Sequence, residues 1–167
     1  MTGAGQVRVR RLVEDDLPVF LELVDALADY EHLPRPDAAA RRRLSADALA
    51  SPPRFHTLLA ELGGRAVGYA VYFFTYSTFR ASPTLYLEDI FVRAEDRGRG
   101  AGRALFRACA RDAVRQACGR MEWQVLSWNA PSIDFYRRLG ARHLVEWQPF
   151  RLEADALALV ADASGSE

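Results

Sequence analysis

A chain of 167 residues, half of them hydrophobic, carries enough apolar side chain for one self-supporting core, and its 22 basic and 22 acidic residues cancel. That balance argues against a dedicated nucleic-acid binder, and no apolar run approaches the roughly 18 residues of a membrane helix. All 22 basic residues are arginine, so no lysine is available for Schiff-base chemistry or self-acetylation.

Met1 to Gln6 have neither the basic nor the apolar block of a secretory leader, and a cytoplasmic protein is expected. Gln6 to Leu12 alternates and predicts a first strand. Asp15 or Asp16 is then placed to cap a helix in which Leu17, Phe20, Leu21, Val24 and Leu27 or Ala28 recur at helical spacing, with Pro18 tolerated in the first turn. Glu31 to Ala40, with two prolines, predicts a loop. A short helix follows, with Ser45 as its candidate cap and Pro52 and Pro53 beyond its end. The run Arg41, Arg42 and Arg43 reads as solvated loop surface.

Phe55 to Leu62 and Arg65 to Tyr76 flank Gly63-Gly64, the pair that a tight hairpin turn demands. After a loop at Ser77 to Pro83 comes a strand through Val92, then a helix from about Gly100 to Cys118. Cys109 and Cys118 both fall in that helix, nine residues apart and too far along its axis to bridge, so free thiols are expected. Met121 to Ser127 predicts another strand, and Pro131 to Leu139 a helix closed by Gly140. His143 to Trp147 and Phe150 to Glu153 read as two last strands, and the tail "ASGSE" as frayed. This order predicts one mixed α/β domain over 1–167, its core at about 6–153, with helices on a central sheet.

The stretch "YLEDIFVRAEDRGRGAG" at 86–102 holds the chemistry. A strand running through a Gly-rich turn into a helix presents free backbone N–H groups and the positive end of a helix dipole, which together favour an anion. Neither the Walker loop nor the dinucleotide fingerprint fits the glycine spacing, and a solvent-exposed turn with a helix cap would look the same. On a strictly alternating strand, Glu88 shares a face with Tyr86 and Ile90. Asp89 then shares the other with Leu87 and Phe91, so the two carboxylates are expected to point apart. His32, His56 and His143 are scattered, and no metal site is expected.

Arg97, Gly100 and Gly102 match the pyrophosphate motif, Gln or Arg then x-x-Gly-x-Gly or Ala, of the GNAT superfamily of acetyl-CoA-dependent N-acetyltransferases. Over nearly its whole length the chain resembles the diamine (spermidine/spermine) and thialysine acetyltransferase branch. The stretches that carry this are "LADYE" at 27–31, "GYAVYFFTYST" at 68–78, "LYLEDIFV" at 85–92, "RGRGAG" at 97–102 and "WNAPSIDFYRRLGA" at 128–141. The resemblance implies the GNAT fold, a mostly antiparallel sheet whose splayed parallel strands hold acetyl-CoA, and a homodimer acting on a small-molecule amine. It places backbone groups of Ile90, Phe91 and Val92 against the pantetheine arm. Gly98, Gly100, Ala101 and Gly102 fall at the pyrophosphate, with Arg97, Arg99 and Arg103 near the phosphates and Asn129, Pro131 and Ser132 at a further coenzyme contact. Tyr136 corresponds to the general acid that protonates the leaving thiolate, a role suited to a phenol with an ordinary pKa of about 10. Glu88 corresponds to the group that binds the amine and helps remove its proton.

The same resemblance sets Tyr30, Glu31, Ser77, Glu88, Glu122, Trp123, Gln124 and Gln148 around the amine. Diamine enzymes carry Asp where this chain has Ser77, and Gln148 stands for a Glu. Two lost carboxylates weaken the attraction for a polyamine, and "YST" at 76–78 resembles the thialysine branch. The expected activity is therefore acetyl transfer to a primary amine with one cationic end, ahead of spermidine. A protein or peptide acetyltransferase and a non-catalytic acetyl-CoA-binding module are the alternatives.

Overall fold

Five strands lie side by side in chain order: β1 (Arg8–Arg11), β2 (His56–Leu62), β3 (Arg65–Ser77), β4 (Ser82–Val92) and β5 (Arg120–Glu122). The computed structural model describes residues 6–162, so the leader reading at Met1 to Gly5 and the tail at 163–167 lie outside the described residues. β1 to β4 pair antiparallel, and β5 joins β4 in parallel over only three positions, Thr84↔Arg120, Leu85↔Met121 and Tyr86↔Glu122. Gly63 and Gly64 turn β2 into β3 with φ of 57° and 80°, values a side chain rarely tolerates.

The helices are α1 (Leu17–Glu31), α2 (Ala38–Leu49), α3 (Ala101–Arg115), α4 (Ala130–Arg138) and α5 (Ala154–Asp162). The chain divides into two units, Met1–Gln124 and Val125–Glu167. In the first, α3 buries Leu105, Ala108 and Cys109 against Ala70, Tyr72 and Leu87 on one face of the sheet. On the other face, Phe20 and Leu23 of α1, with Leu44 and Ala48 of α2, cover Tyr69, Val71 and Phe91. The second unit contains α4 and α5.

Several local expectations are corrected. Asp16 does not cap α1 with its side chain, for its carboxylate accepts from both Arg10 Nη atoms, at 2.5 and 2.8 Å, and from the Val13 N–H at 2.9 Å. Asp37, not Ser45, caps α2 by accepting from the Ala40 N–H at 2.7 Å. Ser45 lies inside the helix and donates its hydroxyl to the Arg41 carbonyl one turn back, at 3.0 Å. The arginine run is thus helical, and Arg41 pairs with Asp25 of α1 at 2.7 Å. α3 stops at Arg115, so only Cys109 is within it; Cys118 lies past the reversal at Ala117, and both thiols are free.

Residues 143–147 and 150–153 form no strand. Val145, Trp147 and Phe150 are exposed, and a strand without a neighbour has no ladder to hold it extended. The Ala- and Leu-rich residues after Glu153 form α5 instead. β5 is shorter than the strand predicted over 121–127.

Close approach of β3 to β4 has a visible cause in Gly68, where a Cβ would lie 2.4 Å from the Phe91 carbonyl oxygen. Gly68→Ala must push back the β4 backbone at its buried end. The expected cost is about 2 kcal/mol, a fall in Tm of about 4–8 °C by thermal unfolding. An unchanged Tm would show that the two strands can part without loss.

Candidate active site

The pairing of β3 with β4 slips by one residue at the site. Val71 faces Asp89 and Tyr72 faces Leu87, so Glu88 is the extra residue of a β-bulge. The bulge changes which side each residue occupies. Leu85 and Leu87 pack on the α3 side before it, and Ile90 and Val92 after it, while Phe91 packs with α1. Strict alternation therefore fails here, and the expected separation of the two carboxylates is corrected. Glu88 and Asp89 both line one cavity of about 430 Å³ on the α1/α2 side, walled by Phe20, Val24, Val71 and Phe73.

Their environments differ. Glu88 is exposed at the cavity, whereas Asp89 is half-buried. Burial first, and then the charge of Glu88, push the Asp89 carboxyl up to about 6, and the Tyr69 hydroxyl, donating at 3.2 Å, holds it back in part. Burial likewise raises the Tyr69 phenol well above its ordinary value, with Asp89 adding to the shift. Glu31, the last residue of α1, is raised by burial, and its charge reaches both Asp89 and Tyr69. Three carboxylates therefore feel one another's charge here, an arrangement that favours a cation. Tyr30 stands beside them, its ring centre 6.4 Å from that of Phe91.

Beyond Tyr86 the parallel ladder to β5 ends, so among the described residues the second half of β4 has a partner strand on one edge only. Arg93 N–H donates to Val67 O at 2.9 Å. By the alternation of an antiparallel ladder, Phe91 then pairs with Tyr69, while Ile90 and Val92 turn their N–H and C=O groups to the open edge. The Val92 carbonyl on that edge accepts from Arg97 Nε at 3.0 Å.

The loop after β4 leads into α3 at Gly100, which has φ 90° and makes no side-chain cap; Gly98 has φ 76°. Ala104 N–H is bonded to Gly100 O, which leaves the first-turn N–H groups of Ala101, Gly102 and Arg103 without partners in the helix. Asp96, 1% exposed, anchors the loop by accepting from Arg65 at 2.8 and 2.9 Å and from Arg99 at 3.2 Å. Arg97 lies 4.6 Å from the centre of the Tyr30 ring. Arg97 and Arg99 are thus engaged within the loop, whereas Arg103 makes no ion pair among the described residues. An open strand edge followed by bare amides and Arg103 fits a ligand that has an amide-bearing arm and then a phosphate group.

Other predicted residues lie elsewhere in the two units. Ser77 ends β3, paired with Ser82, and its Oγ accepts from Arg80 N–H at 3.4 Å in the turn. Six residues of β4, roughly 20 Å of strand, separate that end from Glu88, so Ser77 is not a cavity residue. Glu122 lies beside Tyr86 and pairs with Arg120 at 3.0 Å. Trp123 packs edge-on against Phe106 of α3 at 5.3 Å, and Gln124 is exposed. In the second unit, Asn129 caps α4 by accepting from Ser132 N–H at 3.3 Å, and Pro131 lies in the first turn. Tyr136 is buried in α4 next to Phe135, and Gln148 is exposed outside regular structure.

A family model described as the acetyltransferase (GNAT) family matches residues 20–141. The chain belongs to the GNAT family of acetyltransferases. Thialysine N-epsilon-acetyltransferase of Sus scrofa is 36% identical over 164 residues, covering 92% of this chain and 96% of that protein. L-ornithine N5-acetyltransferase NATA1 of Arabidopsis thaliana is 41% identical over 93 residues, 56% of this chain and 41% of that protein. Among solved structures, an aminoglycoside acetyltransferase from an uncultured soil metagenomic sample, crystallised with trehalose, superposes with a TM-score of 0.71. It is 21% identical and covers 88% of this chain and 97% of that one, a likeness of fold. As a GNAT-family N-acetyltransferase, the protein belongs to a family that uses acetyl-CoA. Among the described residues there is no cluster of His, Cys, Asp or Glu able to hold a metal, and no helix long and apolar enough to cross a membrane.

Sequence reasoning missed the cavity residues Asp89, Arg43 and Asp47, and Tyr69, whose hydroxyl donates to Asp89 from the core. Asp89 was in plain view beside Glu88. Only the bulge, for which no glycine or proline gives a signal, brings it to the same side.

Proposed function

We propose that this protein transfers acetyl from acetyl-CoA to the primary amine of a small cationic substrate, a thialysine-like amino acid ahead of a diamine or polyamine. The observation that carries the reading is the bulged pair Glu88 and Asp89, set at a cavity on a strand whose other edge is open. Bound acetyl-CoA would supply a thioester carbonyl to be attacked. Glu88 and Asp89 hold the ammonium group and accept its proton, leaving a neutral nucleophile. The open-edge groups of Ile90 and Val92 pair with the amide arm, and the Val92 N–H is the donor for the developing oxyanion. The unpartnered amides of Ala101 and Gly102, with Arg103, receive the pyrophosphate. Tyr136 is the proton donor to the departing thiolate.

The test is thiol release from acetyl-CoA by purified protein with thialysine, lysine, ornithine, putrescine, spermidine and spermine. Release with the diamino acids at a higher kcat/KM than with spermidine is expected. Equal turnover of spermidine and thialysine would remove the preference, and no release with any amine, although coenzyme binds, would overturn the catalytic reading.

A further inference from the structure

The cavity has a second polar wall that the acetyl-transfer chemistry does not use. Ala40, Arg43, Leu44 and Asp47 of α2 line it, the i, i+3, i+4, i+7 face of one helix, opposite Glu88 and Asp89 of β4. Arg43 and Asp47 stand one helical turn apart on that face. The neighbouring Arg41 is committed to Asp25 at 2.7 Å, but Arg43 makes no ion pair or hydrogen bond among the described residues. Asp47 has one partner, Arg54 Nε at 3.1 Å, in an exposed pair that a competing cation can displace. A cavity that needs only to hold an amine gains nothing from an arginine. For a polyamine the guanidinium is a repulsive charge in the wall, and for a carboxylate it is a planar fork of donors.

We infer that Arg43 and Asp47 recognise the head group of an α-amino acid, Arg43 binding its carboxylate and Asp47 its α-ammonium, while the terminal amine lies at Glu88 and Asp89. Substrates of this site are then α-amino acids whose side chain ends in a primary amine, and Arg43 is the residue that excludes the corresponding decarboxylated diamines. The inference rests on the proposed acetyl transfer to a small amine for its account of the terminal amine, but the charges on α2 can be tested separately.

Two matched pairs differ only by the carboxylate: lysine against cadaverine, and ornithine against putrescine. Binding of each to the full-length protein is measured by calorimetry without acetyl-CoA, and kcat/KM by thiol release with it, for wild type, Arg43→Ala, Arg43→Lys and Arg43→Glu. Wild type is expected to favour each amino acid over its diamine about 10-fold or more. Arg43→Ala should lose about 10- to 100-fold in amino-acid affinity, through KM rather than kcat, with diamine values held or raised. Arg43→Lys should recover part of the loss, and Arg43→Glu should invert the preference. If Arg43→Ala weakens both members of a pair equally, or wild type binds neither amino acid better than its diamine, the assignment is overturned. Carboxylate-dependent binding without thiol release would retain the head-group site while rejecting the catalytic reading.

Discussion

Tyr136→Phe lowers kcat for acetyl transfer by about 100-fold or more while leaving the Kd for acetyl-CoA within about threefold, if the phenol supplies the proton that the thiolate takes on leaving. The substitution removes the hydroxyl and keeps the phenyl ring. Tyr136 is 9% exposed, and its ring centre is 5.4 Å from that of Phe135 on α4. Its backbone carbonyl, which accepts from Leu139 and Ala141 N–H groups as α4 ends, is untouched. Thermal unfolding should accordingly shift by no more than a few degrees. A kcat reduced less than tenfold would assign the proton to another donor or to solvent.

Asp89→Asn gives the second large effect, in opposite directions for activity and stability. In the wild type, kcat/KM should rise with pH through a limb at about 6, as Asp89 loses the proton that burial and Glu88 make it keep. Asn cannot ionise, so the limb should vanish and kcat/KM at pH 7.5 should fall about 10- to 100-fold. The sign for stability follows from where the proton sits. Unfolded, the carboxyl titrates near its ordinary 3.8, and folded near 6, so between those values the native state binds the proton more tightly. The residue's contribution to stability therefore declines as pH rises through that window, and its full cost is present above 6. A shift of about two pH units corresponds to at most about 3 kcal/mol. Asp89→Asn should thus melt several degrees above wild type at pH 7.5 and level with it near pH 4. Loss of activity without that gain in Tm would mean that the carboxylate is not strained by its burial.

Local chemistry accounts for the parts of this architecture that were legible in the chain. Gly63-Gly64 between two apolar runs fixes a hairpin, and "RGRGAG" before an amphipathic run fixes the start of α3, because left-handed backbone requires glycine at those positions. Legibility failed where partners decide. Val145, Trp147 and Phe150 have strand-forming side chains, yet stay exposed outside any ladder. Ser45 is a good capping residue, but Asp37 stands in extended backbone at the true start of α2. Ser77 was drawn toward the amine by position in a motif, although it closes the far end of the β3–β4 hairpin. At the cavity, Glu88 was singled out by its motif, and the structure sets it in the wall. Asp89 was assigned to the wrong side because a period of two leaves no room for an inserted residue.

That inserted residue also works as a phase shifter for the strand. Were Glu88 to take a regular place in the ladder, alternation counted from Leu85 and Leu87 would carry Ile90 and Val92 away from the α3 layer and put Phe91 into it, while reversing which of their amides reach the open edge. A single deletion at position 88 would therefore leave a regular ladder in which Ile90, Phe91 and Val92 keep their sides and only the second carboxylate of the pair is lost. Side-chain replacement at Glu88 likewise leaves the core contacts and the exposed backbone in place, so the charge at this position can be changed without disturbing the strand that presents it.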